Sequence, residues 1–170
     1  QISAVSLDAL MTKREGRRLL LALDGVTDPG NLGACLRSAA TFGVDGVIVP
    51  KHGSASVNAT VHKRSAGAAA SLPVLTVTNL ARTLRQLKEA GYWVVGTAMD
   101  VAARSIDEVG LTGDLVLVMG SEGEGIRRNV RNQCDELVMI PMNDASYTLN
   151  VSVAVGICLY EIKRQHPQDP

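Results

Sequence analysis

No run of eighteen apolar residues escapes a charge or a turn signal in this 170-residue chain, which excludes a membrane-spanning helix. The opening stretch QISAVSLDAL has neither a basic start nor a small-residue cleavage site, so it does not read as a secretory leader. An initiator methionine is missing too, and the chain is expected to be a piece of a longer protein. Cysteine is scarce. Cys35, Cys134 and Cys158 lack metal-ligand spacing and each lies in an apolar stretch, as expected of buried thiols in a reducing cytoplasm. An excess of either charge is missing as well, since 17 basic residues balance 17 acidic ones. A self-sufficient nucleic-acid binder carries surplus Lys and Arg. The balance therefore means no nucleic-acid partner, or a grip supplied by another part of a longer protein; composition alone favours the first.

What is present is the pattern of one α/β domain. Apolar residues make up 46% and charged residues 20%, a globular balance rather than a disordered one. Residues 17–23, 46–50, 74–77, 92–97, 115–120 and 136–141 read as short buried strands. Between them, residues 31–42, 57–71, 79–90 and 124–133 read as helices, and a final helix runs from about Asn150 to Gln165. This alternation predicts a mostly parallel sheet flanked by helices on both faces. Residues 1–16 are polar and irregular, and are expected to be a linker remnant or N-terminal extension ahead of a domain spanning 17–170.

Ligands of parallel sheets sit beyond the carboxyl ends of the strands, which directs attention to four segments: 24–37, 97–100, 120–125 and 140–150. The loop Gly120 to Gly125 (GSEGEG) has the wrong glycine order for a dinucleotide fingerprint, and Glu122 and Glu124 would repel a pyrophosphate. A neutral or cationic nucleoside fits it better; a plain tight turn fits as well. In the segment Asn31 to Arg37, Gly33 and Ala34 lie one turn before Arg37 on the same helix face and leave room for a bulky polar ligand. Residue by residue, helix capping by Asn31 and solvation of Arg37 are the simpler readings. The third cluster, Ile140 to Met142 followed by a polar loop and Leu149 to Ser152, suits an adenine clasp or an ordinary connection capped by Asn150.

Together and in this order, NLGACLR (31–37), LVMGSEGEG (117–125), and IPM (140–142) with LNVSVA (149–154) resemble the three motifs of the SpoU/TrmH family of SPOUT RNA 2′-O-ribose methyltransferases. The resemblance covers roughly residues 17 to 165. Within the family it is nearest to bacterial large-subunit (23S) rRNA guanosine 2′-O-methyltransferases, with tRNA enzymes as the alternative. It implies a SPOUT fold with a deep C-terminal trefoil knot, a homodimer through knot-region helices, and a cytoplasmic enzyme on ribosomal RNA. It also implies an N-terminal RNA-binding domain outside this chain, which would account for the balanced charge. The implied cofactor is S-adenosyl-L-methionine, with no metal. Gly120, Ile140 and Leu149 would contact it, with Thr97, Ala98 and Met142 nearby. The implied catalytic set is Arg37, Asn31, Glu122, Asn150 and Thr148, the last standing where the family has serine.

Methyl transfer needs the ribose 2′-oxygen in line with the sulfonium methyl. The family assigns activation of that hydroxyl to the motif-one arginine, here Arg37. Because arginine keeps its proton, the expectation is that Arg37 orients the hydroxyl and stabilises developing negative charge, with Asn31, Glu122 and Asn150 positioning it. Lys63, Arg64, Arg127, Arg128 and Arg131 are candidate RNA-phosphate contacts, with solvated helix faces as the simpler reading. His52 and His62 lack carboxylates at metal spacing. Two other classes fit these residues less well. A non-catalytic RNA-binding module would be expected to have lost motif residues, and a nucleotide-dependent oxidoreductase is opposed by Glu122.

Overall fold

Six-residue strands with no polar residue before their last position can only be buried on both faces, and two of them form the centre of the sheet. The structure is a computed structural model that describes residues 6–11, 16–55, 58–121, 123–144 and 146–166. Strands β1 (Leu19–Asp24) and β6 (Leu115–Gly120) pair in parallel through their whole lengths, with Leu21 opposite Leu117 and Asp24 opposite Gly120. Around them lie β2 (Gly46–Pro50), β3 (Val74–Val77), β4 (Trp93–Thr97), β5 (Arg104–Ser105) and β7 (Glu136–Met139), in the order β3-β2-β1-β6-β4-β7-β5. Every described pairing within the sheet is parallel, as helical crossovers require.

Alternation along the strands divides the core in two. Leu19, Leu21, Leu23, Leu115, Leu117 and Met119 face α2 (Pro29–Thr41) and α7 (Val151–Gln165). Leu20, Ala22, Val116 and Val118 face the other way, towards Leu80, Leu84 and Leu87 of α5 (Leu80–Glu89). Leu21 and Leu117 are wholly buried, and truncating either to Ala costs on the order of 2–5 kcal/mol. Asn79 caps α5 by accepting from the Arg82 amide at 3.0 Å, as its position before the apolar stripe predicts. No helix among the described residues is long and apolar enough to cross a membrane.

Three expectations need correction, and one pair of elements was not expected at all. Residues 1–16 are not irregular throughout: α1 (Leu7–Met11) buries Leu10 against Gly46, where a Cβ would come within 2.6 Å of the Leu10 side chain. The Tyr92 hydroxyl and the Arg18 guanidinium both donate to the Leu10 carbonyl. A helix this short shows no periodicity. The helix read over 57–71 is two pieces, α3 (Ala59–Arg64) and α4 (Ala68–Ser71), broken where Ala66 and Gly67 take φ of 54° and 91°. The helix read over 124–133 shrinks to α6 (Arg128–Arg131), because Arg127 is held extended by Asp24 and Gly125 has φ 68°. The short edge strand β5 and the 3-10 turn after it, Ile106–Glu108, carry no pattern long enough to read.

Candidate functional site

The carboxyl ends of β4, β6 and β7 open into a cavity of about 420 Å³. Its floor is the glycine turn after β6. At Gly120 a Cβ would lie 2.2 Å from the Gly125 carbonyl carbon and 2.3 Å from the Ile126 amide nitrogen, so only glycine lets the loop fold back here. The fold-back is closed by the Gly125 amide donating to the Ser121 carbonyl at 2.9 Å. One wall is the end of β4, where the Ala98 amide donates to the Val138 carbonyl at 3.0 Å. The opposite wall is Ile140, Met142, Thr148 and Leu149, with Val151 and Ala154 from the first turns of α7.

All six residues expected at the cofactor, Gly120, Ile140, Leu149, Thr97, Ala98 and Met142, line this one cavity, and Thr148 lines it too. Lining residues outside the three motifs and the expected set are Met99, Asp100, Ile126, Arg131, Val138 and Met139. Of these only Met99 and Asp100 fall within the segments picked out by the strand-end rule. Arg131 donates to Asp100 at 2.6 Å, and with the Ala102 amide this holds the Asp100 carboxyl below the ordinary range. Among the described lining residues Arg131 is the only cation, and Asp100 neutralises it. Glu124 adds a carboxylate, so the cavity is hospitable to positive charge.

The expected catalytic residues do not all meet here. Arg37 lines a second cavity of about 460 Å³ with Ala34, Ser38, Lys63, Arg64, Ser152 and Val153. The first turn of α7 separates the two spaces: Val151 and Ala154 face the first, Ser152 and Val153 the second. Asn150 sits at the seam. Its Oδ1 accepts from the Ser152 amide at 2.9 Å and hydroxyl at 2.6 Å, which leaves its Nδ2 to donate to Asn31 Oδ1 at 3.1 Å. Helix α2 is itself capped by Asp28, which accepts from the Gly30 and Asn31 amides, and not by Asn31. Glu122 lies outside the described residues. Among the described residues no three His, Cys, Asp or Glu side chains cluster to hold a metal; the His62 side chain lies outside that set.

A profile of the SpoU rRNA Methylase family matches residues 18–160. The chain belongs to the SpoU rRNA methylase family. It is 56% identical over 159 residues to the 23S rRNA (guanosine-2'-O-)-methyltransferase RlmB of Pseudomonas aeruginosa, covering 94% of this chain and 64% of that protein. It is 59% identical over 146 residues to the RlmB of Escherichia coli K12, covering 86% of this chain and 60% of that protein. The chain thus spans less than two thirds of the length of these two relatives. Among solved structures, it superposes with a TM-score of 0.86 on the SpoU methyltransferase AviRb from Streptomyces viridochromogenes in complex with AdoMet. That match is at 29% identity and covers 99% of this chain and 64% of that one.

Proposed function

We propose that this SpoU-family chain is the catalytic part of an S-adenosylmethionine-dependent RNA methyltransferase that modifies a ribose 2′-hydroxyl, with a guanosine of 23S rRNA as substrate. The observation that carries the reading is the first cavity. It is formed by three separate loop segments, walled by a glycine fold-back and apolar side chains, and its one described cation is cancelled by Asp100. Its volume lies within the range of about 300–1,000 Å³ typical of small-molecule sites. Such a space fits a cationic nucleoside and offers a pyrophosphate no attraction. The proteins it resembles methylate guanosine of 23S rRNA by name, and the AviRb structure is a complex with AdoMet.

When bound, S-adenosylmethionine supplies an electrophilic methyl on a sulfonium. In this reading the backbone around Gly120, with Ile140 and Leu149, holds the nucleoside part, and Thr97, Ala98 and Met142 complete the walls. The hydrogen-bonded pair Asn31 and Asn150 ties the first motif to the third at the seam between cavities, where the ribose has to lie. Arg37 orients the 2′-hydroxyl and stabilises the charge that grows on its oxygen as the proton leaves. Thr148, bordering the same cavity, contributes a hydroxyl in place of serine. Glu122 is assigned with Asn31 and Asn150 to position Arg37.

The exposed apolar stripe Val153, Ile157 and Tyr160 on α7, with Phe42 edge-to-face against Tyr160 at 6.4 Å between ring centroids, is the face we assign to a homodimer. Because Val153 also lines the second cavity, such a dimer brings a partner surface to Arg37. The C-terminal knot belongs to the same reading. It is supported by the late strand β7 lying between β4 and β5, followed by a helix that packs back on α2. So do a domain spanning 17–170 and a cytoplasmic site of action.

The test combines two measurements. Calorimetry should show binding of S-adenosylmethionine and none of NAD. Labelled cofactor with 23S rRNA, and separately with tRNA, should place the methyl on one ribose of the ribosomal RNA. Arg37→Ala should depress the methylation rate on the order of 10²-fold or more while cofactor affinity stays within about twofold. Wild-type rates from that variant would remove Arg37 from the chemistry.

A further inference from the structure

The chain has no net charge, yet its basic residues are not equally occupied. Of five candidate RNA-phosphate contacts, Arg127 is locked to the buried Asp24, Arg131 is locked to Asp100, and Arg128 lines neither cavity. Lys63 and Arg64 are different. Both are exposed, both line the second cavity beside Arg37, and no carboxylate of the described residues comes within salt-bridge distance of any of these three cations. All three are solvated, and an anion placed among them would be attracted by each.

Their grouping is built by packing. Gly33 has no room for a side chain: a Cβ there would meet the Arg64 Cβ at 2.6 Å and the Val61 carbonyl oxygen at 2.7 Å. That close approach sets α3 against α2 and brings the Arg64 Nε to within 3.9 Å of where a Cβ on Gly30 would stand, at the start of α2. Asn58 starts α3 by accepting from the Val61 amide, and Ser65 ends it by donating its amide to the Val61 carbonyl at 2.9 Å, so Lys63 and Arg64 are held in a defined place. Ser38 adds a hydroxyl donor to the same cavity.

From this placement we infer that Lys63 and Arg64 form a phosphate-binding subsite for the RNA strand, taking the backbone phosphates next to the ribose that Arg37 addresses. The inference rests on the reading that the substrate is RNA. A ribose at the seam marked by Asn31 and Asn150 has its flanking phosphates only a few ångströms from the 2′-oxygen, and the cationic cavity is the neighbouring space. The first cavity, where Asp100 and Arg131 cancel and Glu124 adds a carboxylate, offers them no attraction. The two cavities thereby sort the two reactants by sign: a cation into the first, an anion into the second.

The test is the double variant Lys63→Ala, Arg64→Ala, compared with the charge-keeping Lys63→Arg, Arg64→Lys. S-adenosylmethionine affinity is read by calorimetry, and affinity for an rRNA fragment by fluorescence anisotropy between about 50 and 200 mM salt. Loss of two phosphate contacts to a single strand should lower the slope of log affinity against log salt by about 1.4 and weaken RNA binding on the order of tenfold. Cofactor affinity should hold within about twofold, and the charge-keeping variant should recover most RNA affinity. Unchanged RNA affinity and salt slope in the alanine variant would overturn the subsite, as would an equal loss in the charge-keeping variant. Inorganic phosphate at matched ionic strength should compete weakly with RNA. Strong competition combined with undiminished RNA binding by the alanine variant would show a free-phosphate site and also overturn the inference. Failure of the proposed function looks different: the wild type would bind RNA with the expected salt slope but transfer no methyl.

Discussion

The carboxylate of Asp24, wholly buried at the end of β1, holds Arg127 by three contacts: the Arg127 amide at 2.9 Å, its Nε at 2.9 Å and its Nη2 at 2.7 Å. Arg127 lies just past the glycine turn, so this pair pins the far end of the cofactor-side loop to the central strand. The partners are unequal. Asp24 has no access to water, whereas the Arg127 side chain is 52% exposed. Removing the arginine side chain leaves a buried charge with only the main-chain amide of residue 127, and removing the carboxylate releases a guanidinium that can be solvated.

The expected order is that Arg127→Ala costs more than Asp24→Asn, about 3 kcal/mol against about 1–2 kcal/mol in urea denaturation. Equal or reversed costs would mean that the pair contributes through its surface half only.

Gly120→Ala should abolish cofactor binding, because its Cβ falls 2.2 Å from the backbone of Gly125 and the loop has to open. Gly123→Ala meets nothing within 4 Å and should bind within a few-fold of wild type. Calorimetry with S-adenosylmethionine on both variants separates a steric cradle from general loop sensitivity.

Asn150→Ala removes the cap of α7 and the bridge to Asn31 at once, and should destabilise the chain by about 1 kcal/mol. Asn31→Ala removes only the bridge and should cost less. A double-mutant cycle on stability should give a coupling of a few tenths of a kcal/mol, since the bridge is an exposed neutral hydrogen bond. No coupling would mean that the two asparagines do not act together.

Burial pushes the thiols of Cys35, Cys134 and Cys158 up to about 12. The reactive species is the thiolate, so at pH 8 each folded thiol should react far more slowly than a free cysteine. A thiol-specific reagent should label none of the three promptly in the native chain and all three in urea. Rapid native labelling of Cys35 or Cys158 would show that the core around α2 and α7 opens.

Fold class was legible from the residues because an unbroken run such as Leu19 to Leu23 has only one low-energy place, the middle of a sheet covered on both faces. The first cavity was legible in part, since six of its lining residues come from strand ends marked by glycine and polar turns. Boundaries such as those of α6 were not. The helix pattern from Glu124 onward is locally sound, and what shortens it is a carboxylate over a hundred positions away in the sequence, Asp24.

The sequence by itself determined the alternation of strands and helices and the three motifs, because each depends on neighbours along the chain. Only the tertiary structure decided that Arg37 opens into a different space from Gly120 and Leu149. It also decided that Arg127 and Arg131 are bound to carboxylates, whereas no carboxylate of the described residues reaches Lys63 or Arg64. Charge pairing depends on distance through space, and at Asp24, Asp100 and Gly33 that distance is set by packing between segments far apart in the sequence.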